Sequence, residues 1–310
     1  MAPTVSVIIP CYEHAEYLAE ALESTALQGP HVDTIVVDDG STTDIRRVTD
    51  AFPSVRYVRQ EHAGVSAARN TGLATQDSPF VLFLDADDRL LPGAIDAGLR
   101  AFERHPEAGF VFGAYRFIKR SGDVAGRPGL VVPSSPDYLS LVRGNYIGTP
   151  AVVLFRTGPV METGGFDADL QVSEDYELTL RVARTHSIRF HDTLVAEYRR
   201  YDTSASADAS RMLRTVVHVL ERERSRAPEG LRDHPAFEEG LEFFKLFYGV
   251  RVVRQMMREV VLRGRIGDAI SRWGELRNIL GPRLVTTKLP PAVAVSAYRK
   301  VGYIIRGWMG

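Results

Sequence analysis

The chain of 310 residues has one cysteine, two tryptophans and a formal net charge of only −1. A lone Cys11 excludes an intrachain disulfide framework and fits a reducing compartment. No apolar run reaches the ~20 residues that a membrane-spanning helix needs. The opening Met1-Ala2-Pro3-Thr4 has no basic region leading into an apolar stretch, so no secretory leader is expected. The 45% hydrophobic and 25% charged content is that of an ordinary globular chain, which excludes a disordered or fibrous one. The expectation is a soluble or peripheral protein on the cytoplasmic side, with one large domain or two modest ones.

The missing net charge conceals two opposed halves. Residues 1–210 hold 19 basic and 29 acidic side chains, a balance of −10, whereas residues 211–310 hold 19 and 10, a balance of +9. Such asymmetry points to separate roles, one part facing an anionic partner.

The first 120 residues alternate strand and helix signals. Val5 to Ile9, Thr34 to Val37 and Phe80 to Leu84 are short buried-strand runs, and Arg56 to Arg59 is a weaker one. Helical spacing covers 13–27 and 65–74, a polar segment to Phe52 is also helical, and Pro92 opens a helix over 92–104. This alternation predicts an α/β fold with a mostly parallel, doubly wound sheet. Residues 109–118 and 151–156 read as further strands, 120–137 as a Gly-, Pro- and Ser-rich loop. Residues 174–185 read as a helix with Ser173 as N-cap and Glu174 and Asp175 in its first turn. Beyond 205 the signals are helical only, over 205–226, 234–263, 266–280 and 291–308. The division expected is 1–206 and 207–310.

Polar residues stand where the strand runs stop: Pro10-Cys11-Tyr12, Asp38-Asp39 and Asp85-Ala86-Asp87-Asp88. Open α/β sheets bind ligands outside the carboxyl ends of their strands. Asp85 and Asp87, at i and i+2 past an apolar strand, can reach one divalent cation and the ligand it holds. Mg²⁺ and Mn²⁺ favour such hard oxygens, often shared with phosphates.

Six blocks in order resemble glycosyltransferase family 2. They are Val5-Ser6-Val7-Ile8-Ile9-Pro10-Cys11-Tyr12, Ile35-Val36-Val37-Asp38-Asp39-Gly40-Ser41-Thr42, Gly64-Val65-Ser66-Ala67-Ala68-Arg69-Asn70-Thr71-Gly72, Phe83-Leu84-Asp85-Ala86-Asp87-Asp88, Thr163-Gly164-Gly165-Phe166-Asp167 and Ser173-Glu174-Asp175-Tyr176-Glu177-Leu178-Thr179-Leu180-Arg181. The resemblance covers roughly residues 4–206. It implies the GT-A fold, a nucleotide-sugar donor, most simply UDP-linked, and inversion at the anomeric carbon. By the same resemblance Pro10 and Tyr12 line the nucleoside pocket, and Asp38 or Asp39 accepts from the uracil N–H, Asp39 being preferred. Gly64 lets the backbone approach the nucleotide. Arg69 and Asn70 position their loop, Arg69 either touching the nucleotide or bound to a core carboxylate. Asp85, beside Ala86, holds the ribose or a metal-bound water, Asp87 ligates Mn²⁺ or Mg²⁺, and Asp88 supports them.

An acceptor hydroxyl is a poor nucleophile at neutral pH and needs a base. The resemblance places that base in Glu174-Asp175: Asp175 as base, Glu174 as its orienting or acceptor-binding partner, with Arg181 as a structural partner of the pair. Adjacent carboxylates raise each other's proton affinity, which suits a base. His191, Tyr198, Arg199 and Arg200 fall where related enzymes close over the diphosphate. The family often has a histidine three residues after this tyrosine, and here that place holds Tyr201. His191 reads as a satisfied strand-end histidine rather than a metal ligand, and Cys11 as a packing residue. The acceptor implied is a hydroxyl of a cell-surface glycan, its lipid-linked precursor or another glycoconjugate.

The basic 281–310 segment, with Arg283, Lys288, Arg299, Lys300 and Arg306 among Trp and Tyr, suits either an anionic membrane surface or a helix packed on its own domain. Arg251, Arg254, Arg258 and Arg263 recur at helical spacing. No nucleic-acid motif accompanies this charge. A sugar-1-phosphate nucleotidyltransferase would carry a Gly-rich basic loop where Pro10-Cys11-Tyr12-Glu13-His14 stands. A dinucleotide dehydrogenase would carry GxGxxG. A non-catalytic binding module would have lost Asp85/Asp87 or Asp175.

Overall fold

The computed structural model describes residues 4–128, 131–201, 207–263 and 266–288. Its elements run β1 (Val5–Cys11), α1 (Ala15–Ala26), β2 (Val32–Asp38), α2 (Ile45–Thr49), β3 (Val55–Arg59), α3 (Val65–Thr75), β4 (Phe80–Phe83), β5 (Arg89–Leu90), α4 (Ala94–Arg104), β6 (Ala108–Ile118), β7 (Val124–Gly126), α5 (Tyr138–Arg143), β8 (Val153–Arg156), α6 (Thr157–Glu162), α7 (Glu174–Thr185), β9 (Ser187–Arg199), α8 (Ala209–Arg226), α9 (Pro235–Arg263) and α10 (Ile266–Arg283). They fall into two compact units. The first comprises residues 1–128, 135–138 and 147–201, and the second 129–134, 139–146 and 202–310.

The first unit is built on one sheet in the order β3-β2-β1-β4-β8-β6-β9-β5, with β7 paired to β6. β1 is buried along its whole length, because it lies inside the sheet with a helix layer over it. Its Val and Ile side chains therefore form a continuous apolar run rather than an alternation. β3, β2, β1 and β4 are mutually parallel, as the alternation predicts. Beyond β4 the sheet is mixed, since β8 runs antiparallel to both β4 and β6, while β6 and β9 are parallel. α3 approaches β1 so closely that a Cβ on Gly72 would collide with Ile8.

The parallel register determines where the polar residues end up. Cys11 stands opposite Asp38, the Asp39 N–H donates to the Cys11 carbonyl at 2.9 Å, and the Leu84 N–H donates to the Ile8 carbonyl at 3.0 Å. The carboxyl ends of β1, β2 and β4 thus open side by side.

Three local expectations are corrected. Pro92 precedes the helix rather than opening it, and Gly93 is the N-cap. Ser173 is the N-cap of α7, but it adopts a left-handed φ of 60° and its hydroxyl makes no capping bond. β9, a strand of 13 residues, was not foreseen, because its polar Arg189, His191, Asp192 and Glu197 interrupt any apolar run.

In the second unit, Phe237, Leu241, Phe244, Tyr248, Val252 and Met256 of α9 are buried at helical spacing, as are Leu213, Val216 and Leu220 of α8. Gly240 lets α9 meet α5 at the Val142 carbonyl, where a Cβ would clash. α10 departs from helical geometry at Gly281, near the expected end. Arg251 lies over the rings of Phe247 and Tyr248. The helix expected over 291–308, and most of the basic 281–310 segment, lie outside the described residues.

Candidate active site

The ends of β2 and β4 carry carboxylates in different environments. Asp38 is fully buried. It accepts from the Ser41 N–H at 2.9 Å, the Tyr57 hydroxyl at 2.6 Å and Arg59 at 2.6 Å. Burial alone would raise its pKa, but these donors outweigh it and hold the carboxyl below its ordinary value.

Asp39 is also buried, with four protein donors around it. Gln60 Nε2 and the Ala63 N–H reach Oδ1 at 2.7 and 2.9 Å, and the Gly64 N–H reaches Oδ2 at 2.8 Å. The fourth group is His62, whose Nδ1 lies 2.9 Å from Oδ2. The imidazole stacks on Tyr12 with centroids 4.1 Å apart. Tyr12 is 43% exposed, so the pair forms an aromatic surface at the mouth of β1 and β2. Glu13, at a left-handed φ of 60°, ties this mouth together by accepting from Thr42 and Thr43. His62 was not singled out in the sequence, where a loop histidine between β3 and α3 carries no pattern.

Gly64 has a φ of 94°, a conformation that favours glycine. A Cβ there would meet no protein atom within 4 Å, so the backbone conformation and not crowding by the protein explains the residue.

Arg69, on α3, is 1% exposed. One terminal nitrogen meets Glu174 and the other meets Asp85, each at 2.6 Å, and the guanidinium lies over the Phe166 ring. Of the two roles open to it in the sequence, this geometry is that of an arginine bound to core carboxylates. Burial would lower its proton affinity, but Asp85 and Glu174 more than reverse that. Asn70 exchanges two hydrogen bonds of 2.8 Å with the Phe166 backbone, locking α3 to the Gly165-Phe166 loop.

The acidic turn after β4 divides. Asp85 faces Arg69. Asp88 is buried, accepts from the Arg199 N–H at 2.8 Å and from Thr149 at 3.3 Å, and burial followed by the charges of Asp87 and Asp85 raises its pKa well above normal. Asp87 is raised by burial and then by Asp85, against a hydrogen bond from the Tyr201 hydroxyl at 2.8 Å. Ala86 is buried between them.

α7 delivers the other pair. Glu174 is buried against Arg69. Asp175 keeps a small opening to solvent, and burial of its carboxyl, followed by the Glu174 charge, pushes its pKa up to about 7. Arg69 acts in the opposite sense, and the Tyr176 N–H donates to Asp175 at 2.7 Å. Arg181 does not serve this pair. It binds Glu177, one turn earlier on α7, and the carbonyls of Thr163 and Gly165.

β9 closes the acidic turn. Arg199 is fully buried, donating to the carbonyls of Asp87 and Arg120 and to Glu20, with its guanidinium over Tyr17. Its Nε and both terminal nitrogens are thereby engaged by protein acceptors. Arg200 is exposed over the Phe117 ring. His191 lies against Gly113, and burial, then Arg104, pushes its pKa down to about 4. Its Nδ1 is buried without a hydrogen-bond partner, so it is not the satisfied histidine expected, and no acid of the site acts on it. Burial pushes the Cys11 thiol up to about 12, which fits a packing role.

No cluster of three or more His, Cys, Asp or Glu side chains among the described residues could hold a metal ion. Asp85 and Asp87 nonetheless suit a cation that takes one or two protein carboxylates and completes its shell with phosphates and water.

The architecture is that of the GT-A glycosyltransferases. Staphylococcus aureus TarS 1–349, solved with UDP-GlcNAc, superposes with a TM-score of 0.66 at 19% identity, covering 99% of this chain and 90% of that one. A Pyrobaculum calidifontis mannosyltransferase, solved with GDP-Man and Mn²⁺, superposes with a TM-score of 0.60 at 17% identity, covering 99% and 88%. The chain belongs to glycosyl transferase family 2, whose sequence profile matches residues 6–160. An uncharacterized Mycobacterium tuberculosis protein is 30% identical over 245 residues, covering 72% of this chain and 74% of that protein. The chain spans only 36% of a Rickettsia felis glycosyltransferase that it also matches.

Asp175 provides a test of these electrostatics. Between the ordinary carboxylate range and about 7, the folded chain holds a proton at Asp175 that the unfolded chain has released. Its stabilising contribution is therefore present at acid pH and lost as pH rises through about 7. Asp175→Asn cannot ionise, so its melting temperature relative to the unsubstituted protein should rise between pH 5 and pH 8. An equal difference at both pH values would refute the assignment.

Proposed function

We propose that this chain is an inverting, metal-dependent glycosyltransferase. It moves a sugar from a UDP-linked donor to a hydroxyl of a glycan, a lipid-linked glycan or another glycoconjugate. The observation that carries this reading is Asp175, a carboxyl with its pKa pushed up to about 7, at the start of a helix that Arg69 ties to the donor-side Asp85. A base works best when its pKa lies near the working pH.

Asp175 takes the acceptor proton as the oxygen attacks the anomeric carbon from the face opposite the leaving diphosphate. Attack on that face inverts the centre. Glu174, fixed by Arg69, orients the acceptor side. The nucleoside lies against Tyr12, with Pro10 and Gly64 bordering it. Asp39 accepts the uracil N–H, with the half-exposed His62 ring the donor best able to give way to it, while the closed bond set of Asp38 shapes the turn. Asp87, with Asp85, would hold a divalent cation, and that cation would offset the charge growing on the leaving diphosphate.

The UDP-GlcNAc bound by TarS and the Mn²⁺ bound by the Pyrobaculum enzyme support this reading, as does family membership. A nucleotidyltransferase would need a basic phosphate loop after β1, where Glu13 stands instead.

Asp175→Asn should keep nucleotide-sugar binding by calorimetry and lose transfer by at least about 100-fold; near-normal turnover would move the base elsewhere. Asp87→Ala should abolish the Mn²⁺-dependent part of UDP binding, and unchanged dependence would remove the metal from Asp87. A panel of nucleotide sugars with Mn²⁺, read by thermal shift, should single out a UDP-linked donor.

No helix among the described residues is long and apolar enough to cross a membrane. The proposed location is the cytoplasm or the inner membrane face, reached through the basic C-terminal residues and matching a lipid-linked acceptor. Removing residues 281–310 should weaken binding to anionic liposomes, whereas undiminished binding would argue for a packed, solvated helix.

A further inference from the structure

Asp85 and Asp87 are held by groups of opposite electrical character. Asp85 meets one terminal nitrogen of the buried Arg69 guanidinium, whose single positive charge it shares with Glu174. Asp87 meets the Tyr201 hydroxyl at 2.8 Å. A phenol fixes the direction of a carboxylate while leaving its charge intact, and an arginine in the same place would compete with any cation for that charge.

The segment Arg199–Tyr201 makes three separate bonds to this turn. The Arg199 N–H donates to the Asp88 carboxylate, Arg199 Nε donates to the Asp87 carbonyl, and Tyr201 donates to the Asp87 carboxylate. The first holds the Asp88 side chain, the second the Asp87 backbone and the third the Asp87 side chain. Without the third, the Asp87 carboxylate would face the repulsion of Asp85 with no hydroxyl to hold its direction. The Tyr201 ring is itself seated against Tyr17, with centroids 6.1 Å apart, and Tyr17 lies beneath Arg199. The phenol is thus placed by packing as well as by its hydrogen bond.

We propose that Tyr201 is a positioning residue for Asp87, holding one carboxylate oxygen so that the side chain is presented, still charged, to the divalent cation of the donor complex. The inference rests on the donor-site reading above and adds a residue that acts through Asp87 rather than on the substrate. Donors behind a metal-ligating carboxylate typically change metal affinity ten- to a hundredfold.

The test is calorimetry of UDP binding with and without Mn²⁺, on the full chain and on Tyr201→Phe, which removes the hydroxyl and keeps the ring on Tyr17. Electron paramagnetic resonance of unbound Mn²⁺ gives a second measure of metal uptake. The expected result is a fall of about ten- to a hundredfold in Mn²⁺-dependent UDP affinity, with metal-free UDP affinity and metal-free melting temperature unchanged. Equal or tighter Mn²⁺-dependent binding in the variant would overturn the role of Tyr201 alone. An equal loss with and without Mn²⁺ would also overturn it, because the hydroxyl would then serve general structure. Absence of any Mn²⁺ effect on the unsubstituted chain would overturn the donor-site reading, and this inference with it.

Discussion

A buried arginine between two carboxylates is the constraint on which the rest of the site depends. An unpaired charge inside a protein costs several kcal/mol, so Arg69 can be buried only if both partners are brought to it. Glu174 comes from the start of α7 and Asp85 from the end of β4, 105 and 16 residues away in sequence. Meeting that requirement draws a helix terminus and a strand end to one place. Asn70, the next residue along α3, fastens the same helix to the loop that precedes α7. The acids proposed for donor binding and for proton removal are therefore positioned by one hydrogen-bonded cluster.

The acids of the site then sort by what compensates them. Asp38 is enclosed by protein donors and shapes its turn, whereas Asp39 keeps the half-exposed His62 among its partners. Asp85 and Glu174 share the single positive charge of Arg69. Asp87, Asp88 and Asp175 are left with raised proton affinity, each by burial first and then by a neighbouring carboxylate. Two of those three are the residues to which the proposed chemistry assigns a cation and a proton. The third, Asp88, is enclosed by Arg199 and Thr149 and supports the turn.

Much of this was legible in the sequence, and for a physical reason. Strands buried on both faces must be continuous apolar runs, so β1, β2 and β4 and their polar ends stand out by composition alone. The long polar β9 does not, since its place in the sheet comes from pairing with β6 rather than from its own pattern. Side-chain partners were not legible, even close in sequence. Arg181 was matched to the catalytic pair, yet its partner is Glu177, four residues away on the same helix face. The roles of Arg199, Tyr201 and His62 depend on contacts formed across the fold, such as Arg199 with Glu20 or His62 with Tyr12, and no local pattern announces them.

The opposed charges of the two halves acquire a partial physical meaning. The acidic excess of residues 1–210 includes a compact group of carboxylates only partly neutralised from within, a site suited to a cation. The most direct test of this account is an NMR titration of the Asp175 carboxyl carbon in the unsubstituted protein, assigned by its loss in Asp175→Asn. The account predicts an inflection near pH 7. An inflection in the ordinary aspartate range, at about pH 4, would contradict it, because Asp175 would then be an ordinary solvated acid of a helix first turn.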